Sequence, residues 1–200
     1  MKNRLLEFYS SRKVFLDTID SSLIDKSLVY DREFGFAANP IMLIGEAPGE
    51  NEAREGRPFC GAAGKNLAKL IEASGIDRKK LLITNAFAFR TFETTERGVK
   101  NRTPSGTELT LGASMLLQEI AIVKPKAIIL LGGSAEKAAM KMDDKDLKAA
   151  FKSLQKHEIK NVSGLYLAKT HHPSPLVFNR PDKRAELYEF FGRLSEQLGK

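Results

Sequence analysis

The amino-acid sequence predicts an α/β fold of three layers (α/β/α), with a central, mostly parallel sheet of four strands. Four short apolar runs are typical of buried strands. Helical patterns of apolar residues alternate with these runs along the chain. Strands that alternate with helices favour a parallel sheet whose two faces are both covered by helices.

The predicted strands define one edge of the sheet as the place for a ligand. The runs are residues 41–45 (IMLIG), 81–89 (LLITNAFAF), 126–133 (KAIILLGG) and 164–170 (GLYLAKT). In parallel α/β sheets, ligands bind in the crevice beyond the carboxyl ends of the strands. We therefore expect the loop at 45–64, the region around Asn85, the loop after the third run and the HHPSPL segment to meet there.

Helical patterns fill the intervals between the strands and both ends of the chain. The internal and C-terminal patterns lie at residues 64–75, 105–125, 134–142, 146–157 and 182–198. The first of these ends on Gly75, and the second opens with a capping box, Ser105-x-x-Glu108, and stops at Pro125. The N-terminal segment mixes charged and apolar positions, which indicates one or two amphipathic helices and not a signal peptide.

Length and composition indicate one globular domain. Two hundred residues are enough to bury a core, and 42% hydrophobic with 28% charged residues is typical of a soluble protein. We assign residues 1–200 to a single domain, with an N-terminal helical segment at 1–35 packed on it, and expect a monomer. No apolar run approaches the roughly 20 residues of a membrane span. The one cysteine, Cys60, excludes a disulfide framework, so a cytoplasmic location is expected.

The net charge of +7 favours an anionic partner such as nucleic acid. A lysine-rich solvated face is the alternative explanation, because such faces are common in proteins that bind no nucleic acid. Charge by itself leaves both interpretations open.

The glycine-rich loop at 45–64 is the first candidate binding segment. It lacks the Gly-Lys-Ser/Thr pattern of a phosphate-binding P-loop, and its glutamates would repel phosphate, so a neutral ligand fits better. Glu46 and Glu52 are candidates for acid–base catalysis or for positioning water, although a solvated loop carboxylate is the simpler interpretation of each. Phe59 is either a core residue or a platform for a planar ring.

Asn85 lies inside an apolar strand pattern. A buried asparagine must satisfy both a carbonyl and an amino group. It therefore either bridges two strand ends or reads the donor–acceptor edge of a ligand.

Two adjacent histidines, His171 and His172, follow the fourth predicted strand. In extended backbone, adjacent side chains point to opposite faces, so these two do not easily share a metal ion. No carboxylate or cysteine accompanies them at ligand spacing, and the sequence therefore predicts no metal site. One histidine is expected to face the crevice and the other to pack or cap.

Three motifs occur in order on these predicted strands and loops. They are GEAPGENEAREGRPFCGAAGKNL at 45–67, ITNA at 83–86 and HHPSPL at 171–176. Together they resemble the uracil-DNA glycosylase superfamily. The first motif is closest to the family 4 enzymes, whereas the HPSPL of the last is more like family 1. The resemblance extends from about Ile41 to Arg180.

The resemblance implies a base-binding pocket. Phe59 would stack on a flipped-out uracil, Asn85 would bond uracil O4 and N3–H, and Ala47 would belong to the same substrate site. His172 would stabilise the negative charge that grows on uracil O2 as the glycosidic bond breaks.

The resemblance also implies groups that act on water, sugar and DNA. Glu46 and Glu52 would act on the water or the sugar, or exclude the methyl group of thymine, and the sequence leaves these roles unassigned. Ser174 would hold a phosphate and Arg180 would contact the DNA backbone. Leu176 would fill the space that the base leaves, unless it packs under its own loop.

The chain departs from family 4 in its cysteines. Those enzymes carry an iron–sulfur cluster on four cysteines. Here Phe89 and a position near Gly112 correspond to two of them, and the N-terminal pair has no counterpart before Ile41. The sequence therefore predicts no cluster and no other cofactor. Asn101 stands where a covalent-trapping relative has a histidine, so a covalent DNA adduct is not expected.

The resemblance predicts a monofunctional glycosylase that removes uracil from single- and double-stranded DNA, leaves an abasic site and serves base excision repair. A glycosylase for another deaminated base, hypoxanthine or xanthine, is one alternative. The others are a non-catalytic module that binds damaged DNA and an unrelated nucleotide-binding α/β protein.

Overall fold

The computed structural model describes residues 1–198 as alternating helices and strands. The α-helices are α1 (Lys2–Ser11), α2 (Glu50–Glu55), α3 (Ala62–Ser74), α4 (Gly106–Val123), α5 (Gly133–Ala139), α6 (Lys145–Ser153), α7 (Pro175–Phe178) and α8 (Pro181–Leu198). The strands are β1 (Ile24–Asp25), β2 (Ile41–Gly45), β3 (Leu81–Asn85), β4 (Arg90–Thr95), β5 (Gly98–Asn101), β6 (Ala127–Leu131), β7 (Ile159–Val162) and β8 (Leu165–Thr170). Short 3-10 helices occupy Arg12–Thr18 and Arg78–Lys80.

The central sheet has five strands, in the order β3-β2-β6-β8-β7. The first four are parallel, and β7 pairs antiparallel with β8 at the edge. The predicted number of four strands was therefore wrong, whereas the mostly parallel arrangement is confirmed. The additional strand belongs to a tight hairpin whose turn residues, Ser163 and Gly164, have φ values of 53° and 93°. Two consecutive positive φ angles are typical of a type I′ hairpin turn.

Helices cover both faces of the sheet, as the sequence predicts. Alternate residues of each buried strand join different cores: along β2, Met42 and Ile44 contact one cluster, whereas Ile41 and Leu43 contact the other. The first core includes residues of α1, α4, α5 and α6, and the second includes residues of α3 and α8. Each fully buried aliphatic side chain contributes about 1.5–3 kcal/mol relative to its exposed state, so these strands are held from both sides.

The predicted helix caps are present at both ends that the sequence marks. Ser105 Oγ accepts a hydrogen bond from Glu108 N at 3.2 Å, and Glu108 Oε2 accepts one from Ser105 N at 2.6 Å. α3 ends at Gly75, which has a φ of 69°. That left-handed conformation favours glycine, which explains why the apolar pattern stops there.

The second and third predicted strands end earlier than their apolar patterns do. β3 ends at Asn85, and the amides of Ala86 and Phe87 then bond to the carbonyls of Gly45 and Glu46 at 2.9 and 3.0 Å. The apolar residues that continue the pattern serve the core instead, since Phe87 and Phe89 are both fully buried. β6 ends at Leu131, and Gly132, with a φ of 87°, turns the chain into α5.

A second, small sheet joins β1, β4 and β5. β4 and β5 form an antiparallel hairpin whose register pairs Phe92 with Asn101. This hairpin brings Asn101 to the carboxyl edge of the main sheet, where it lines a cavity of about 530 Å³.

The N-terminal segment is helical only as far as Thr18. Its buried face includes an unusual polar cluster. Tyr9 Oη donates to Glu119 Oε1 at 2.6 Å, and Thr84 Oγ1 donates to Glu119 Oε2 at 3.0 Å. The guanidinium of Arg12 lies 4.1 Å from the centre of the Tyr9 ring. Within residues 1–198, no helix has both the length and the apolar character that crossing a membrane requires.

Candidate active site

A cavity of about 530 Å³ opens at the carboxyl ends of the strands. Its walls come from the loop after β2, the end of β3, the β4–β5 hairpin and the segment after β8. The sequence predicts a binding site at this edge. The cavity brings together five of the predicted site residues, which are Ala47, Glu52, Phe59, Asn85 and His172. Asn101, which the sequence did not predict as a site residue, also lines it.

Phe59 forms one wall in a conformation that its glycine neighbours make possible. Its φ of 52° lies in the left-handed region, which is uncommon for a bulky residue and costs on the order of 1–3 kcal/mol. A Cβ atom at Gly45 would lie 2.5 Å from Phe59 Cζ, and one at Gly64 would lie 1.6 Å from the Phe59 carbonyl oxygen. Gly45 therefore leaves room for the ring beside the strand end, and Gly64 leaves room for the backbone of Phe59.

Asn85 is the last residue of β3, and it is 8% exposed. Its Oδ1 would be 2.9 Å from a Cβ atom at Gly45, so the same glycine also makes room for this amide. Among residues 1–198, no partner hydrogen-bonds to the Asn85 side chain, although it lines the cavity. Of the two roles open from the sequence, the structure does not show the amide bridging two strand ends. A nearly buried amide with unused donors and acceptors is suited to recognising a polar edge of a ligand.

Glu52 is engaged at both carboxylate oxygens by the backbone of its own loop. Oε2 accepts from Gly49 N at 3.0 Å and Oε1 accepts from Gly61 N at 2.7 Å. The side chain thereby joins the start and the end of the loop that holds Phe59. Glu52 therefore has a structural role in the loop, which its position in the sequence did not indicate.

Glu46 has a different environment. One carboxylate oxygen, Oε2, accepts a hydrogen bond from Ser134 Oγ at 2.6 Å. Ser134 is a buried residue in the first turn of α5. The sequence predicts this loop at the site edge, but nothing in the GGSAEK segment distinguishes Ser134 from an ordinary helix start.

His172 faces the cavity, and its ring centre lies 5.6 Å from that of Phe59, with the two planes 32° apart. A Cβ atom at Gly132 would lie 2.7 Å from His172 Cβ, so the turn after β6 allows this close approach. Burial lowers the pKa of His172 below its ordinary value, and the charges of Glu46 and Glu52 oppose that shift. The imidazole is therefore neutral at pH 7.

His171 points away from the cavity. Its Nε2 lies 2.9 Å from Glu186 Oε2 on α8. The two adjacent histidines thus serve different sides of the sheet edge, as the alternation of extended backbone predicts.

The segment after the histidines is held to the body of the protein, yet it exposes its apolar tip. Asn66 Nδ2 donates to the Pro173 carbonyl at 2.9 Å, and Ser174 precedes the short helix α7. Leu176 is 83% exposed, whereas Phe178 is buried. The alternative in which Leu176 packs under its own loop disagrees with this exposure.

Arg180 lies beyond α7, and it is exposed. Its Nη2 is 3.2 Å from Asp182 Oδ2, in an ion pair whose side chains are 63% and 55% exposed. Exposed pairs of this kind contribute little to stability, so the guanidinium can exchange its partner for a phosphate at low cost.

Asn101 is the cavity residue whose position the sequence could not define. It lies at the end of β5, and its Oδ1 accepts a hydrogen bond from Arg90 Nε at 2.7 Å. This contact turns the NH₂ group of the amide toward Gly49, where a Cβ atom would lie 3.0 Å from Asn101 Nδ2.

Comparison with known proteins agrees with this geometry. The family model of the uracil DNA glycosylase superfamily matches residues 33–194. The chain belongs to this superfamily. The resemblance inferred from the three motifs is thereby confirmed.

The curated relatives include several proteins named Type-4 uracil-DNA glycosylase. That of Sulfurisphaera tokodaii is 36% identical over 170 residues, which are 81% of this chain and 71% of the relative. That of Saccharolobus solfataricus is 34% identical, with 79% of this chain and 71% of the relative covered. That of Pyrobaculum aerophilum is 34% identical, with 76% of each chain covered.

A four-cysteine iron–sulfur cluster does not fit this member of the superfamily. The chain has one cysteine, Cys60. The resemblance gives one cluster position to Phe89, which is buried in the core. Another falls near Gly112, which is packed so closely that a Cβ atom would lie 1.9 Å from the Ala86 carbonyl oxygen. Burial raises the pKa of the Cys60 thiol to about 11, which disfavours the thiolate that a metal needs.

Proposed function

We propose that this protein is a monofunctional uracil-DNA glycosylase. It flips uracil out of DNA, hydrolyses the N-glycosidic bond and leaves an abasic site for base excision repair. The observation that carries the proposal is the nearly buried Asn85 amide, which faces a cavity between the Phe59 ring and the neutral His172 imidazole. Membership of the superfamily and the names of the curated relatives support the same activity.

Asn85 recognises the base in this proposal. Its Oδ1 accepts from uracil N3–H and its Nδ2 donates to O4, so both unused groups of the amide find a partner. The Phe59 ring stacks on the base and fixes its plane. A good bidentate contact of this kind contributes about 1–3 kcal/mol of discrimination.

His172 stabilises the leaving group. The base departs with negative charge on O2, and a neutral imidazole donates an N–H hydrogen bond to that oxygen as the charge develops. The lowered pKa of His172 supports this role, because a neutral imidazole still carries one N–H group that can donate to O2. The interaction strengthens in the transition state, which is the requirement for catalysis.

Glu46 is the carboxylate that we assign to the water and the sugar. Ser134 holds one of its oxygens and leaves Oε1 without a hydrogen bond from the described residues. Glu52 has no such free oxygen, because both accept backbone N–H groups. We therefore separate the two glutamates: Glu46 orients water and favours the cationic sugar, and Glu52 keeps the loop of Phe59 in place.

The surface around the cavity binds the DNA strand. Ser174 and Arg180 contact phosphates, and Leu176 enters the space that the flipped base leaves. The net charge of +7 supports the attraction of DNA. Single- and double-stranded DNA are both substrates in this proposal. Asn101 bears no nucleophile comparable to a histidine, so no covalent adduct forms.

The test is cleavage of labelled oligonucleotides without added metal. Oligonucleotides that carry uracil, thymine, hypoxanthine or xanthine are incubated with the protein and treated with alkali, and the products are resolved on a gel. We expect strand breaks at uracil in both single and double strands. Absence of abasic product at every uracil site, with folded protein in excess, would refute the proposed activity.

A further inference from the structure

Three side chains converge on the side of β8 that faces away from the cavity. His157 follows α6, His171 follows β8 and Glu186 lies on α8. Each offers one ligand atom, and the three atoms lie within 4.8 Å of one another. We propose that His157, His171 and Glu186 form a binding site for a divalent transition-metal ion, with Zn²⁺ as the ion that fits best.

The distances are close to those of a zinc site. The Nε2 atoms of His157 and His171 lie 3.1 and 2.9 Å from Glu186 Oε2. Zinc binds imidazole nitrogen and carboxylate oxygen at about 2.0–2.2 Å, and its tetrahedral ligands are therefore about 3.3–3.4 Å apart. Around one ion, Glu186 Oε2 would move slightly outward from both rings, and the two histidine nitrogens, which lie within 4.8 Å of each other, would adjust to the same spacing, with the fourth position open to water.

The backbone of His157 is fixed in an uncommon conformation that aims its ring at the cluster. Its φ is 64°, in the left-handed region. Its N–H donates to the Lys169 carbonyl at 2.8 Å, and its own carbonyl accepts from Arg193 Nη2 at 2.9 Å. A strained conformation that is held from both sides is typical of a functional position.

Two of the three ligands also have outer partners of the kind that metal sites use. Thr170, which is fully buried, places its Oγ1 2.9 Å from His157 Nδ1, where it would accept the remaining ring proton once Nε2 binds a metal. Lys183 Nζ donates to Glu186 Oε1 at 2.8 Å, which leaves Oε2 for the ion. The set resembles the orienting hydrogen bonds that metal-bound histidines and carboxylates have in general.

The protonation states of the three ligands suit a divalent ion, whereas the neighbouring side chains include opposing positive charges. Burial lowers the pKa of both His157 and His171, so the rings keep a lone pair at neutral pH. The hydrogen bond from Lys183 is the main cause that lowers the pKa of Glu186 to about 2, so the carboxylate is ionised. Lys156, whose Nζ lies 3.5 Å from His171 Nδ1, repels a cation, and Lys183 and Arg193 add positive charge beside Glu186 and His157.

The site is separate from the proposed chemistry. None of the three residues lines the cavity that holds Asn85 and His172. A bound ion would instead connect the end of β8 to α8, directly behind the segment that begins with His172. The sequence excluded a metal shared by the two adjacent histidines, and this set differs, because it uses only His171 of that pair.

Metal binding to the untagged full-length protein tests the proposal. After treatment with a chelator, the protein is titrated with Co²⁺ alone and followed by visible absorption, and Zn²⁺ is then added. We expect one Co²⁺ per chain with the spectrum of a tetrahedral or five-coordinate ion, displaced by one equivalent of Zn²⁺. A folded protein that gives no saturable Co²⁺ spectrum would overturn the proposal and leave a hydrogen-bonded cluster.

Variants separate the metal site from a purely structural cluster. His157→Gln and Glu186→Gln should each weaken Co²⁺ binding at least about tenfold. Glu196→Gln, on the same helix and with an exposed side chain, is the matched control and should bind as the parent does. Lys156→Met should tighten binding severalfold, because it removes a positive charge that lies 3.5 Å from the His171 ring. Equal binding by the parent, His157→Gln and Glu186→Gln would show that the ion sits elsewhere. The uracil assay is independent of these results.

Discussion

Replacing Leu176 with alanine is expected to slow uracil excision from duplex DNA more than from single-stranded DNA. In the free protein the side chain is 83% exposed at the tip of the segment that follows His172. If it enters the duplex where uracil leaves, it becomes buried there. Single-stranded DNA has no pairing to break and less stacking, so it gains less from such a wedge.

The exposure of Leu176 sets the size of the effect. Full burial of a leucine side chain contributes about 1.5–3 kcal/mol, and alanine retains part of it. The loss on duplex DNA should therefore be about 1–2 kcal/mol, or about 5- to 30-fold in rate. Because only a small part of the Leu176 side chain is buried in the free protein, the substitution should lower the free energy of unfolding by less than about 0.5 kcal/mol.

Single-turnover excision measures this difference on matched oligonucleotides. The same uracil-containing strand is used alone and paired with its complement, and the melting temperature of each variant is recorded. Val14→Ala is the control, because Val14 is an exposed apolar residue, 68% accessible, that does not line the cavity. Equal rate losses on both substrates, or a large fall in melting temperature, would refute the wedge.

Further predictions concern the cavity and the missing cluster. Asn85→Ala should lower uracil excision at least about tenfold, because it removes the contact to the base edge; activity within twofold of the parent would remove Asn85 from the site. His172→Ala should lower kcat far more than DNA affinity, which single-turnover rates and a binding assay distinguish; a loss confined to affinity would contradict the leaving-group role. Glu46→Gln should lower kcat with an unchanged melting temperature. Glu52→Gln should lower the melting temperature and raise KM, since the loop loses the hydrogen bonds that join its two ends. The reverse pattern would exchange the roles of the two glutamates. Purified protein should be colourless and contain no stoichiometric iron by elemental analysis.

The sequence by itself determined the layers of the fold and the edge at which the site lies. Strands buried on both faces are nearly continuous apolar runs, and β2, β3 and β6 are buried at every residue, whereas β8 is partly exposed. The parallel order then brings their carboxyl ends to one edge, which is why Asn85 and His172 could be expected to meet although 87 positions separate their numbers in the chain. The capping box at Ser105 and the glycine at 75 marked helix ends because they satisfy backbone groups locally.

Two of the strands that the sequence missed lie at the surface. β5 is exposed along its whole length, and β7 has no buried residue. Polar strands without a buried face carry no periodic signal, so only their pairing with β4 and β8 reveals them. The position of Asn101 in the cavity depends on that first hairpin and was therefore undefined by the sequence.

Tertiary structure alone decided the roles of side chains that are alike in sequence. Glu46 and Glu52 lie on the same loop, and only the folded loop shows that the amides of Gly49 and Gly61 occupy both oxygens of Glu52. The cluster of His157, His171 and Glu186 likewise joins a loop, a strand end and a helix that no sequence spacing connects. Local patterns specify which residues are buried, whereas the partner of a polar side chain is set by packing between distant segments, and the chemistry of this protein depends on those partners.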